Sequence, residues 1–330
     1  MGTEIKGPRD TDDKEENQQT GSGFPDNQEK LQEGRNEAEE AAEETCEEEA
    51  DESKVSEREG EKVADKREQV RDALDDELKI KEQHIFGSLT RGTLVGPLDE
   101  DSDTDVMFVL DESEHGDWVQ NPENGPRKSL RRVKRILQND PRFKDAKISV
   151  DRNVVAIQYA DFTVEVAPAF RRGDDYVIPN TYQEGAGWVR TNPRRYKQQF
   201  EAVNENRNGN LARLARLAKK YNQRTGKRVS SYHMEVMVYN FMRTRSYRDE
   251  PMDKLVDEFF QQLPERLSSG TYDPATDQRI DDGIRNEDRR KAISNAKRAR
   301  QKLEEARKRK ANNDEGSEKH YEEVVNGDIE

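Results

Sequence analysis

Two aspartates open the most apolar run in their part of the chain. Residues 102–110 read Ser-Asp-Thr-Asp followed by Val-Met-Phe-Val-Leu. The last five residues have the make-up of a buried strand. A strand alternates its faces, so Asp103 and Asp105 project together. Charges at the mouth of such a run serve no packing purpose. Side by side they repel each other, and a bound cation relieves that repulsion. Upstream, Gly87-Ser88 follows a short apolar pair, and a loop rich in Gly, Thr and Asp joins it to the strand. A Gly-Ser turn offers backbone N–H groups and a hydroxyl to phosphate oxygens. Phosphate cradle and paired carboxylates are the minimum for metal-assisted phosphoryl transfer.

Acidic residues are 71 of 330, so chance alone supplies roughly 16 pairs at this spacing. Context has to discriminate. A third acid supplies some: in residues 161–167, Phe162, Val164 and Val166 share one face and Glu165 takes the other. Asp103, Asp105 and Glu165 together read as a three-carboxylate metal site. If Glu165 is the third ligand, its strand must lie beside the Asp105 strand. Asp161 has the same parity and is the rival ligand. Pro168 reads as the end of the strand.

Residues 1–60 hold 21 Asp and Glu against 7 Lys and Arg. The whole net charge of −14 therefore lies there, and the remaining chain is balanced. With almost nothing to bury, residues 1–60 read as a disordered acidic tail that the chemistry can do without. Residues 37–52 could be a nascent helix, but without an apolar face. The N-terminus has no apolar leader, no window is long enough to span a membrane, and the single cysteine, Cys46, falls in the acidic tail. The expectation is a cytoplasmic protein without disulfides or a zinc site.

Residues 61–192 read as an α/β palm. The pattern gives a helix over 63–80, a polar loop over 115–125, a helix over 126–138, and short strands over 147–150, 154–159 and 162–167. Residues 193–310 read as a helical lobe. Its helix over 211–221 sets Leu211, Leu214, Leu217 and Tyr221 against Arg213, Arg216, Lys219 and Lys220. That basic side needs an anionic partner, and a triphosphate held by the palm would be one. Ser230-Ser231 caps the next helix, over 232–242, with Glu235 suited to its first turn. Residues 285–309 read as a charged, solvated terminal helix, and 311–330 as a disordered polar tail.

These motifs resemble the DNA polymerase β-like nucleotidyltransferases. The resemblance rests on Gly87-Ser88, Arg91-Gly92-Thr93 and Ser102-Asp103-Thr104-Asp105, then on Val164-Glu165-Val166-Ala167-Pro168. Within that superfamily the chain is most similar to the CD-NTases (SMODS-type synthases), relatives of cGAS and the oligoadenylate synthetases. Ile178-Pro179, Trp188, Thr191-Asn192-Pro193, the helix at 214–222 and the segment 231–235 extend the likeness in order. Glu165 stands where many members have Asp, and Tyr221 where Trp is frequent.

The resemblance implies a mixed palm sheet backed by a helical lobe, with NTPs bound between them. It implies that Asp103, Asp105 and Glu165 hold two Mg²⁺, with Mn²⁺ as a substitute. Gly87, Ser88, Arg91, Thr93, Lys219 and Ser231 would bind nucleotide. The implied activity joins NTPs into a cyclic or short linear oligonucleotide messenger in antiviral (CBASS-type) defence, with accessory regulators and a downstream effector as partners. The alternatives are transfer to RNA, protein or an antibiotic, and a non-catalytic nucleotide sensor. A balanced body disfavours nucleic acid as the main substrate.

Overall fold

The computed structural model describes residues 24–100, 102–181, 187–312 and 316–329, with side chains from Gln32 onward. In chain order, helices α1 (Phe24–Glu52) and α2 (Glu57–Leu78) lead into strand β1 (Ile80–Phe86). A 3-10 turn (Leu89–Arg91) and a loop precede β2 (Asp103–Leu110), α3 (Glu112–Val119) and α4 (Gly125–Asn139). Next come β3 (Lys147–Asp151), β4 (Val154–Gln158), β5 (Thr163–Arg172), β6 (Asp175–Pro179) and β7 (Trp188–Thr191). The helical lobe is α5 (Pro193–Glu205), α6 (Asn210–Arg224), α7 (Ser231–Met242), α8 (Met252–Ser268), α9 (Asn286–Ala311) and α10 (Ser317–Val325).

Among the described residues, seven strands form one mixed sheet in the order β1-β2-β5-β4-β3, with β6 on β5 and β7 on β6. Only β2 and β5 run parallel. Each strand divides its residues as its alternation requires. Val106 and Phe108 of β2 and Val164 and Val166 of β5 enter the core under α2 and α4. Burial of each is worth about 1.5–3 kcal/mol. Met107, Val109, Ala167 and Ala169 lie on the opposite face with Tyr176, and Asp103, Asp105 and Glu165 share their parity. Two bonds at the strand entrance set the parallel register: Thr163 N donates to Ser102 O (2.9 Å) and Thr104 Oγ1 to Thr163 O (3.3 Å).

Several local expectations are corrected. The helix expected over 63–80 stops at Leu78; Lys79 turns left-handed (φ 50°) and Ile80 begins an edge strand. Strand β1 is polar enough (Lys81, Glu82, Gln83, His84) to suit a sheet edge, which hid it from the pattern. Part of the expected loop 115–125 is α3, capped by Asp111. Pro168 does not end its strand. It lies between the last β4 pair at Val166 and the first β6 pair at Phe170, where β2 is the only neighbour. A residue without an N–H is tolerated where one flank is unpaired.

The larger correction concerns the ends of the chain. Residues 1–23 lie outside the described residues, but α1 is a packed helix. Ala42, Cys46 and Ala50, at intervals of four, are 0–1% exposed in the core of the helical lobe, against α6, α8, α9 and α10. The basic side of α6 finds its anions here: Arg213 pairs with Glu47 (3.2 Å) and Lys220 with Glu49. At the other end, α9 buries Ala292, Ala296, Ala299, Leu303 and Ala306, and α10 buries Tyr321, Val324 and Val325. The faces that α1 and most of α9 contribute are small residues, which let these helices approach the larger side chains of the lobe closely. Removing residues 1–52 is therefore expected to lower Tm by more than about 10 °C or to abolish soluble expression. Unchanged melting of the truncated chain would return α1 to the status of a dispensable tail.

Candidate active site

The site forms where the end of β1, the 3-10 turn and the mouth of β2 meet α5, α6 and α7. Phe86 stands opposite Asp105 in the antiparallel ladder, so the Gly87-Ser88 turn begins directly over that carboxylate. Gly87 has φ +80°, and a Cβ there would sit 1.8 Å from Asp105 Oδ2. Only glycine allows both the left-handed turn and the close approach of the acid. Gly87→Ala is expected to displace Asp105 and reduce turnover about a hundred-fold, at a stability cost of about 1 kcal/mol. Turnover and thermal melts check this; a fully active variant would show that the contact is incidental.

Asp105 pairs in register with Glu165 on the neighbouring parallel strand, and Asp103 with Thr163. Adjacent strands lie about 4.8 Å apart, so the Glu165 strand is where the third carboxylate requires it. Asp161 is engaged instead by Lys62 of α2. Burial pushes the Glu165 carboxyl up to about 8, with Asp105 and then Asp103 adding to the effect. Burial also pushes Asp105 up to about 6; Arg91 opposes this and Asp103 reinforces it. Among the described residues, no three His, Cys, Asp or Glu side chains are gathered tightly enough to hold a metal as they stand. Burial and mutual repulsion push both Asp105 and Glu165 toward the protonated form. The donor set still fits a divalent cation: hard carboxylate oxygens, mutually repelling, that gain by exchanging a proton for a metal.

On the lobe side lies a buried network built around Glu235 of α7, which is 1% exposed. Arg91 Nε donates to its Oε1 (2.6 Å), and Thr93 Oγ1 donates to its Oε2. Lys219 Nζ lies 3.7 Å from Oε2 and donates to the Thr93 carbonyl (2.7 Å). The Arg91 guanidinium stacks on the Tyr196 ring of α5 at 4.8 Å. Burial would raise Glu235, but Arg91 and then Lys219 outweigh it and hold the carboxyl below its usual range. Burial pulls Lys219 down to about 8 against the attraction of Glu235.

The sequence-derived residues thus fall into three groups. Gly87, Ser88, Asp103, Asp105 and Glu165 meet on one sheet face. Arg91, Thr93 and Lys219 join the same site but point into the Glu235 network. Ser231 stands one turn before Glu235, half-exposed; the hydroxyl that caps α7 belongs to Ser230, accepting from His233 N (3.1 Å). From the sequence Glu235 reads only as an acid near the start of its helix, and its role as the centre of a buried network is missed. Its signal was available: a lone acid beside Val236-Met237-Val238 has to be buried, and a buried acid needs cations. A groove of about 530 Å³ between α7 and α8 is lined by neutral amides and hydroxyls together with Glu265 and Arg266, and Asp103, Asp105 and Glu165 are not part of its lining.

A mixed sheet with paired acids behind a Gly-Ser turn, closed by a helical lobe, defines a polymerase β-like nucleotidyltransferase fold. Residues 44–204 match the family model described as Second Messenger Oligonucleotide or Dinucleotide Synthetase (SMODS) domain. A probable cyclic nucleotide synthase of Bacillus cereus (strain VD146) is 26% identical over 57% of this chain and 64% of its own. The chain thus spans a little under two thirds of that relative's length. Among solved structures, E. coli MS115-1 CdnC with ATP superposes with a TM-score of 0.66 at 15% identity, covering 87% of this chain and 98% of that one. Vibrio cholerae DncV, a cyclic AMP-GMP synthase, superposes at 0.58 and 12% identity, covering 94% and 92%. Residues 44–204 are thus similar to SMODS-type synthetase domains, and the fold of the chain is that of the solved CD-NTase structures. None of the described helices is long and apolar enough to cross a membrane.

Proposed function

We propose that this protein is a Mg²⁺-dependent nucleotidyltransferase that joins NTPs into a cyclic or short linear oligonucleotide messenger and releases pyrophosphate. The observation that carries the reading is the register of Asp105 with Glu165, beneath the Gly87-Ser88 turn. Asp103, Asp105 and Glu165 would hold two ions. When bound, these supply charge neutralisation at the triphosphate and a lower pKa for the attacking ribose hydroxyl. Ser88 follows the glycine that lies over Asp105, and its side chain makes no capping bond to the 3-10 turn. It is therefore available to a phosphate oxygen. Arg91, Thr93 and Lys219 keep the turn rigid through Glu235, and the two cations leave the network with a net positive charge beside the nucleotide. Ions held there would replace the protons that burial favours on Asp105 and Glu165.

The setting we infer is a cytoplasmic CBASS-type antiviral system, with an effector that reads the product. E. coli MS115-1 CdnC has been solved in complex with HORMA-deltaN, which favours an accessory regulator here as well. Incubation with labelled NTPs and Mg²⁺ or Mn²⁺, followed by phosphatase, tests the activity. A phosphatase-resistant product supports a cyclic messenger; free pyrophosphate without one supports linear transfer. No nucleotide consumed under any metal would overturn the reading.

Two further outcomes follow for Glu165. Glu165→Gln is expected to cut turnover severely with little change in NTP binding; an active Glu165→Gln beside a dead Asp161→Asn would move the ligand to Asp161. The second concerns pH. Folded Glu165 and Asp105 titrate near 8 and 6, above their ordinary 4.5 and 3.8. Their proton-linked stability is complete below the ordinary values and is lost as pH rises through the folded ones. In chelator, Tm should therefore fall from about pH 4.5 to about pH 8, and Glu165→Gln should flatten the curve. Equal slopes in the two proteins would rule out a proton retained on Glu165.

A further inference from the structure

The activity proposed above does not use Arg216, yet this residue is among the most expensively placed in the molecule. Its side chain is 6% exposed, in a helix whose neighbouring positions are filled by leucine and alanine. A carboxylate does not satisfy it closely. Asp51 is 3.9 Å away and itself 61% exposed. Backbone carbonyls take its donors. Nε and Nη2 donate to Ala50 O at 3.0 and 2.8 Å, and Nη1 donates to Gly92 O at 2.7 Å. Burying a guanidinium against carbonyls is costly where a leucine would pack. What it supplies is a planar fork that joins two backbone segments at set angles.

The two segments are informative. Ala50 is in the last turn of α1, whose final carbonyls have no partner within the helix. Gly92 lies between Arg91 and Thr93, the two loop residues held by Glu235, and has φ +67°. The Ser88 carbonyl accepts from Thr93 N (2.9 Å) and Leu94 N (3.2 Å), so the position of Gly92 is transmitted directly to the Gly-Ser turn. A second tie lies at the far end of the same loop. Gly96 N donates to Ser53 O (2.7 Å), and Lys54 bridges to Val95. The chain just after α1 therefore grips the loop from both sides. Arg213, one turn earlier on α6, pairs with Glu47 of α1 but makes no bond to the loop.

We propose that Arg216 is a positioning residue that couples α1 to the phosphate-gripping loop, so that the acidic N-terminal helix sets the geometry of the nucleotide site. The consequence for catalysis rests on the nucleotidyltransferase reading; the coupling itself does not. Seating or loosening α1 would then tune turnover without touching an acid ligand.

Arg216→Lys and Arg216→Gln test it, with Arg213→Gln as the control on the same helix. Hydrogen–deuterium exchange of residues 88–96 in the full-length protein needs no activity. It should speed up several-fold in Arg216→Lys, which keeps the charge but reaches only one carbonyl, and stay unchanged in Arg213→Gln. Pyrophosphate release should show a kcat about ten- to a hundred-fold lower in Arg216→Gln, with KM within about three-fold. Arg216→Lys should recover part of the loss. Rates are taken per nucleotide-binding site, so that a smaller folded fraction does not mimic the effect. If Arg216→Gln fails to fold, Arg216→Lys carries both measurements. Unchanged loop exchange in Arg216→Lys overturns the proposal, as does an equal kcat loss in Arg213→Gln. Faster loop exchange in a chain whose wild type consumes no NTP upholds the coupling and overturns the activity instead.

Discussion

Asp105→Ala is expected to abolish nucleotide transfer while leaving the protein folded and no less stable. The carboxylate lies under Gly87, in register with Glu165 and on the same face as Asp103. Burial and Asp103 both oppose its ionisation, and Arg91 only partly compensates. An acid held at such a disadvantage is not there for stability. Its removal relieves repulsion and leaves Glu165 closer to an ordinary acid. Loss of ion binding at the reacting phosphate should cost about a thousand-fold or more in turnover. Asp103→Ala should behave alike. Pyrophosphate release and thermal melting, measured on the same preparations, check both halves. Wild-type turnover in either variant would sink the two-metal reading. A large drop in Tm would mean that the acids are structural.

Glu235→Ala should do the opposite, with stability rather than chemistry taking the first loss. Glu235 is fully enclosed and faces Arg91, Lys219 and Thr93. Deleting it strands two buried cations at once. Breaking one buried pair by removing a partner costs about 3–5 kcal/mol, which for a chain of this size lowers Tm by about 10 °C or more. Glu235→Gln keeps the shape and one acceptor and should lose less. Denaturant and thermal unfolding measure the difference. If Glu235→Ala melts within a degree or two of the wild type, the network is solvated and Lys219 is free to act on substrate alone.

These two acids also mark how far the sequence could be read. Asp103, Asp105 and Glu165 were legible because strand periodicity is local. Residues two apart share a face whatever the rest of the chain does, and a charge opening an apolar run stands out against it. Gly87-Ser88 was legible for the same reason, since a turn's chemistry is carried by its own residues. Lys219 was found, but not its direction. A helix pattern tells which side a lysine is on, not whether a carbonyl 126 positions away will take its proton donors.

What local patterning determined, then, was the palm: its acids, its turn, the apolar faces of its central strands and the order of the main helices. Tertiary structure alone decided the status of the ends. Residues 37–52 and 285–309 carry too few large apolar side chains to announce a buried face. Alanine and cysteine yield little transfer free energy each, so they count as core only once a neighbouring helix comes close enough to cover them. That closeness is a property of α1, α9 and α10 together. The acidic charge of α1 reads as a solvated tail until α6 sets Arg213 and Lys220 against it. Charge complementarity between segments more than 160 residues apart cannot be read from either segment, because each one alone is equally well satisfied by water.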